Sequence, residues 1–234
     1  MEKEKRSHPH KNRLFGPPHS PGAPHYMNFS IGDHMINAIK NYATQALEDL
    51  PGDLLFHNLE HTKQVVAAVW EIGSMSGLST REIKIILAAA WFHDLGHKVK
   101  YMDHEEESVK LAHHFFTAQE VNPCLVQCIE ACIHATKMPQ QPKGLFQEVL
   151  CDADLYHLST PACLENGKKL RKELHLKLGK VVDDECWDRT NLLFLKNHQY
   201  FTAYGKKILQ PRKEKYAMHK LRRQIINRRS NREK

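Results

Sequence analysis

The segment ILAAAWFHDLGH, residues 86–97, places the tightest constraint on how this chain can fold. Ile83, Ile86, Leu87, Ala90 and Trp91 recur at helical spacing, and the run ends in an adjacent histidine and aspartate, His93 and Asp94, just before Gly96. A helix with almost no polar face has to be buried, and its end goes with it. An imidazole and a carboxylate buried there without partners would cost several kcal/mol. The partial negative charge of a helix C-terminus adds to the demand, because it favours a nearby cation. Compensating groups must therefore come from distant parts of the chain.

Two other segments break an apolar pattern in the same way. In FHNLEHTKQVV, His57 and His61 are four residues apart. They share a face if a helix begins before His57, whereas if Asn58 caps the helix His57 sits beside its first turn. In LCDADLYHL, Asp152 and Asp154 interrupt another apolar helix. Any one of these residues reads most simply as a satisfied core side chain or a cap. Three helices that each place His or Asp where burial is required read as one shared polar site. Imidazole with carboxylate suits manganese, iron, cobalt, nickel or zinc, and a carboxylate bridge completed by water suits magnesium.

The rest of the chain is helical in pattern. Helices are expected at about 33–50, 58–76, 80–96, 105–119, 122–136, 145–158, 162–178, 184–196, 199–209 and 212–229, and no segment alternates as a strand. The expected architecture is one all-α domain. Residues 1–25, rich in proline, histidine and charge, read as a disordered tail, residues 26–205 as the domain, and residues 206–234 as a basic helical tail. The net charge of +7 divides unevenly: residues 206–234 hold 12 Lys/Arg against two acids, and residues 26–205 hold 17 against 23. The body is mildly acidic, so a nucleic acid or acidic partner on the C-terminal segment is not the favoured reading. There is no apolar stretch long enough for a membrane span and no signal-peptide pattern at Met1. With six cysteines read as reduced thiols, a cytoplasmic location is expected.

The order His61, His93-Asp94, Asp154 resembles the H…HD…D signature of the HD superfamily of metal-dependent phosphohydrolases. In more detail it is similar to the cyclic nucleotide phosphodiesterases, whose HNxxH, HDxxH and ADL motifs appear here as His57-Asn58-Leu59-Glu60-His61, His93-Asp94-Leu95-Gly96-His97 and Ala153-Asp154-Leu155. The resemblance implies a single HD-domain-like helical bundle. It makes His61, His93, Asp94 and Asp154 the ligands of a divalent metal, with Asp94 also facing a second ion. It makes His57 the general acid and His97 a residue lining the substrate site. Asp152 is the second choice for the last carboxylate. The implied activity is hydrolysis of a phosphoester by metal-activated water, most plausibly a nucleotide phosphodiester. A nucleotide phosphomonoesterase or pyrophosphohydrolase, or a non-catalytic binding module of the same fold, is the alternative.

Weaker features surround this set. His104 and His134 stand near expected helix ends and could add ligands or touch substrate, His113 and His114 less so, and Lys137 could meet a phosphate. Cys124, Cys128 and Cys132 form an i, i+4, i+8 stripe that reads as core packing. The segment 197–202, NHQYFT, suits either a wall that stacks a nucleobase or an ordinary junction between helices.

Overall fold

The computed structural model of the chain describes residues 30–232; the expected N-terminal tail lies outside them. The described residues contain no strand, and the all-α expectation holds. No described helix is long and apolar enough to cross a membrane.

The helices are α1 (Asp33–Glu48), α2 (Leu59–Met75), α3 (Thr80–Phe92), α4 (His104–Ala118), α5 (Pro123–Ala135), α6 (Leu145–Asp154), α7 (Cys163–Leu178) and α8 (Asp184–Asn197). The start signals are local. Ser79 and Glu82 form a reciprocal capping box on α3, Asn58 caps α2 through Glu60 and His61 N–H, and Asn122 with Pro123 opens α5. Because α3 is apolar on every face, it lies at the centre, with Ile86, Ala89, Ala90 and Phe92 buried among α1, α2, α4, α5 and α6. Cys132 joins this core and Cys128 packs against it, while Cys124 is exposed, so the cysteine stripe is mostly packing.

Two helix ends differ from expectation, and both differences shape the site. α3 stops at Phe92 instead of running to Gly96, and Leu95–Lys98 form a short 3-10 turn. The cause is Ser108 of α4, whose hydroxyl donates to His93 O at 2.6 Å and accepts from Gly96 N at 2.8 Å. One side chain thus takes over two backbone groups at the helix exit. α6 likewise ends at Asp154, not at 158, and passes into a 3-10 turn at Tyr156–Ser159.

The C-terminal segment departs further. Separate helices are expected at 199–209 and 212–229, yet the chain winds without a break from Gly205–Leu209 through α9 (Gln210–Lys213) and Glu214–Met218 to α10 (His219–Arg232). Gly205–Leu209 is a wide π turn in which Gln210 N–H reaches back five residues to Gly205 O. The widened turn just before Pro211 lets the ring enter a helix that it would otherwise kink. Leu209, Lys213, Ala217, Met218 and Leu221 of this rod are buried. With Leu158, Cys163 and Leu195 several of them make a second, smaller apolar cluster beside the main core.

Gly96 is the tightest joint. A Cβ built there would lie 2.7 Å from Ser108 N and closer still to His104 O, so α4 can seat against the HD turn only because position 96 has no side chain. Gly96→Ala should lower unfolding stability by about 2–3 kcal/mol or more, as overpacking against backbone does. Chemical denaturation checks this; a wild-type midpoint would mean that α4 has room to retreat.

Candidate metal centre

Four side chains from three helices converge below the mouth of a cavity. His61 comes from the first turn of α2, His93 and Asp94 from the exit of α3, and Asp154 from the last residue of α6. His61 Nε2 lies 3.5 Å from Asp94 Oδ2 and 3.2 Å from Asp154 Oδ1. His93 Nε2 lies 3.3 and 3.7 Å from the same two oxygens. These are ion-pair distances, but His61 Nε2, His93 Nε2 and Asp94 Oδ2 are all buried and none makes an aligned hydrogen bond. Three orphaned polar atoms facing one point are what a bound cation would satisfy.

The tautomer of His93 supports this. Its Nδ1 sits 2.8 Å from Ala90 O, and a carbonyl can only accept, so Nδ1 carries the proton. In neutral His93 the Nε2 lone pair then points at two carboxylate oxygens, an arrangement that is stable only with positive charge between them. The titration behaviour expresses the same demand. Burial alone would lower the pKa of His93, but Asp94 and Asp154 hold it well above the usual histidine value. Burial alone would raise Asp94 and Asp154, but the facing histidines hold both below the usual carboxylate range. Two imidazoles and two carboxylates suit a borderline divalent ion.

Asp152 is not part of this set. It is fully buried and accepts from Phe201 N at 2.7 Å, Thr202 N at 3.0 Å and Thr202 Oγ1 at 2.7 Å. Its partners are backbone and hydroxyl groups, so the second choice for the last carboxylate is corrected: Asp152 latches the segment after α8 onto α6. The same bonds make 197–202 an interhelix junction, with Tyr200 buried and its hydroxyl donating to Leu155 O.

Asn58 is the cap, so His57 precedes α2. Its Nδ1 is held by Glu173 Oε1 of α7 in a very short hydrogen bond, and Glu173 Oε2 also accepts from Phe56 N at 2.7 Å and His57 N at 3.1 Å. Tyr101 donates to the other Glu173 oxygen at 2.9 Å. Burial pulls the His57 pKa down, but Glu173, Asp94 and Asp154 outweigh it and leave it raised. Nδ1 is spent on Glu173, which leaves Nε2 for the cavity.

His97 and His104 stack with ring centres 3.7 Å apart beside His57. His104 Nε2 reaches Asp94 Oδ1 at 3.1 Å, while both ring nitrogens of His97 are buried without a partner. Burial drives the His97 pKa down to about 2, so it is neutral at ordinary pH. His57, Asp94 and His97 offer a second group of ligand atoms within 4.8 Å of one another. The two oxygens of Asp94 thus face two different groups of nitrogen atoms.

The other candidates are not brought in. His134 is exposed and does not line the cavity, and His113 pairs with Glu130 on the surface. Lys137 is tied to Asp103 at 2.8 Å and Glu106 at 3.1 Å. Sequence reasoning missed Glu173, Tyr101 and His157. His157 lines the cavity next to Phe56, and burial together with His61 lowers its pKa to about 4. Its signal was its place three residues after Asp154; Glu173 carried none.

No protein-family model matches the chain, and no curated protein matches it. Solved structures do. One is described as a predicted HD superfamily hydrolase from an uncultured Thermotogales bacterium, 17% identical, covering 82% of this chain and 91% of its own, with a TM-score of 0.55. Another, from Lactobacillus plantarum, is 18% identical and covers 86% of this chain and 99% of its own, with a TM-score of 0.60. The protein has the HD-domain fold.

Purified protein reconstituted with manganese should hold about one equivalent or more, and replacing His61, His93, Asp94 or Asp154 by alanine should release most of it. The wild-type melting temperature should fall on chelation, since an ion that binds only the folded state stabilises it. Elemental analysis and thermal melts decide. Full retention of metal in all four variants would show that the ion is held elsewhere.

Proposed function

We propose that this protein is a metal-dependent phosphohydrolase, and that its substrate is a nucleotide phosphodiester. The observation that carries the reading is the His57–Glu173 pair beside the four-ligand cluster. A module that only held a metal or a nucleotide would have no need of a proton donor so oriented.

A divalent ion at His61, His93, Asp94 and Asp154 would supply the charge that neutralises phosphoryl oxygens and makes water a nucleophile at neutral pH. The protein's own groups do the rest. Glu173 fixes the His57 ring through Nδ1 and raises its proton affinity, so Nε2 can hold a proton near neutral pH and deliver it to the departing oxygen. His97, kept neutral by burial, avoids setting a second positive charge against His57. His104 steadies Asp94 through Oδ1, so that Oδ2 stays directed at His61 and His93.

The leaving group supports an ester over a pyrophosphate: expelling an alkoxide from a cyclic nucleotide calls for a proton, which the His57–Glu173 pair supplies in this reading, whereas a pyrophosphate leaving group needs less help. Lys137 is not proposed as the phosphate contact, since two carboxylates already engage it.

His57→Ala should keep its metal and lose turnover by about tenfold or more. Glu173→Gln should move the alkaline limb of the pH–rate profile to lower pH. The sign follows from the raised His57 pKa: the protonated form is the active acid, and without the Glu173 charge it is lost earlier as pH rises. Turnover on 2′,3′- and 3′,5′-cyclic nucleotides, nucleoside monophosphates and triphosphates, with manganese or magnesium, tests the substrate. Turnover confined to the last two classes would overturn the diesterase reading and leave a phosphohydrolase.

A further inference from the structure

The cavity at the site extends away from the motif-bearing helices. Its volume is about 660 Å³, within the range of roughly 300–1,000 Å³ that accommodates whole organic ligands. His57, Asp94, His104 and Asp154 are among the residues that line it. Most of the remainder is walled by α7, α8 and α10, none of which carries a motif, and Phe56, Met138, Leu155 and His157 also belong to the lining. Leu164 and Gly167 on α7, and Trp187, Asn191 and Phe194 on α8, follow three- and four-residue spacing, so each helix turns one stripe to the same space. The smaller apolar cluster lies beside it, and Leu158, Cys163, Leu195 and Leu221 of that cluster also line this hollow.

Gly167 contributes to that hollow. It lies inside α7 and lines the cavity, and a Cβ built on it meets nothing within 4 Å. A glycine inside a helix is less stable than alanine. At Gly96 and Gly205 close neighbours leave no room for a side chain, but at Gly167 no neighbour needs the space. What glycine provides at position 167 is room in the cavity.

We propose that Gly167 sets the depth of a subsite for the organic group of the substrate, and that this group is a purine-sized flat ring seated between α7 and α8. The proposal rests on the phosphoester reading of the metal centre. Trp187, Phe194 and Leu164 offer apolar and aromatic faces, which favour a flat partner. Asn191 and Gln224 add amides to the same wall, Gln224 already giving its Nε2 to Asp188 at 3.1 Å. Asn191 spends one N–H on Trp187 O at 3.0 Å and retains a carbonyl oxygen and a second N–H. A hydrocarbon would leave those groups unpaired, whereas a heterocycle can meet them at its edge.

The test compares Gly167→Ala and Gly167→Phe with wild type in the full chain. Gly167→Ala should raise the melting temperature by about 1–3 °C, and both variants should keep wild-type metal content. Gly167→Phe should weaken binding of adenosine 3′,5′-cyclic monophosphate, measured calorimetrically in chelator, by tenfold or more. It should raise KM for that nucleotide similarly, with kcat little changed. Methyl 4-nitrophenyl phosphate, a smaller diester, should be turned over within about threefold of wild type. Unchanged nucleotide binding in a folded Gly167→Phe, or no nucleotide binding by wild type, overturns the proposal, as does an equal loss on both diesters. Absence of turnover on either diester by wild type would instead count against the phosphoester reading, and the binding measurement in chelator would still decide the role of Gly167.

Discussion

Two imidazole nitrogens and two carboxylate oxygens share a gap of 3.2 to 3.7 Å deep in this protein, without an aligned hydrogen bond among the orphaned atoms. Everything around them is arranged to keep that geometry. Left to itself His93 would take up a proton and pair with the carboxylates, and the pKa directions of His93, Asp94 and Asp154 show that pull. A cation in the gap meets the same demand without the protons. The main apolar core, from Ile31 to Leu209, brings the three motif helices together around this point.

Each member of the cluster is held by a group that is not itself a ligand. Ala90 O sets the tautomer of His93, Asn58 caps the turn that bears His61, and Ser108 pins the exit of α3 so that His93 and Asp94 diverge from the helix axis. Asp152 secures α6 to the segment after α8, two residues from Asp154. Such supports restrict where the four donor atoms can go, which is how a site is kept ready for an ion before the ion arrives.

The sequence displayed the His/Asp cluster because each of its members violates a local pattern: a histidine or aspartate where periodicity calls for an apolar residue. It displayed the all-α class for the same reason, since helical spacing and caps are local. It concealed Glu173. α7 reads CLENGKKLRKELHLKL, a helix with charge on every side, and nothing distinguishes the one buried acid from its exposed neighbours. Lys213, buried against His198 and Tyr200 in the C-terminal rod, was hidden among basic residues in the same way. The run through Pro211 was missed because a π turn shows no signal in side-chain spacing. His134 and Lys137 looked eligible from their position at a helix end, but exposure and a pair of carboxylates account for them.

The bond between His57 and Glu173 spans 116 residues of chain. Closing so long a loop comes at the cost of conformational entropy before any contact repays it, so this pair belongs to the late, non-local part of assembly. A fragment ending after α6 would contain HNxxH, HDxxH and ADL in full and still lack the carboxylate that orients the histidine. Motif content and the complete His57 environment are therefore different lengths of this polypeptide. A domain boundary drawn at the last motif would keep His61, His93, Asp94 and Asp154 and discard Glu173, the partner of His57.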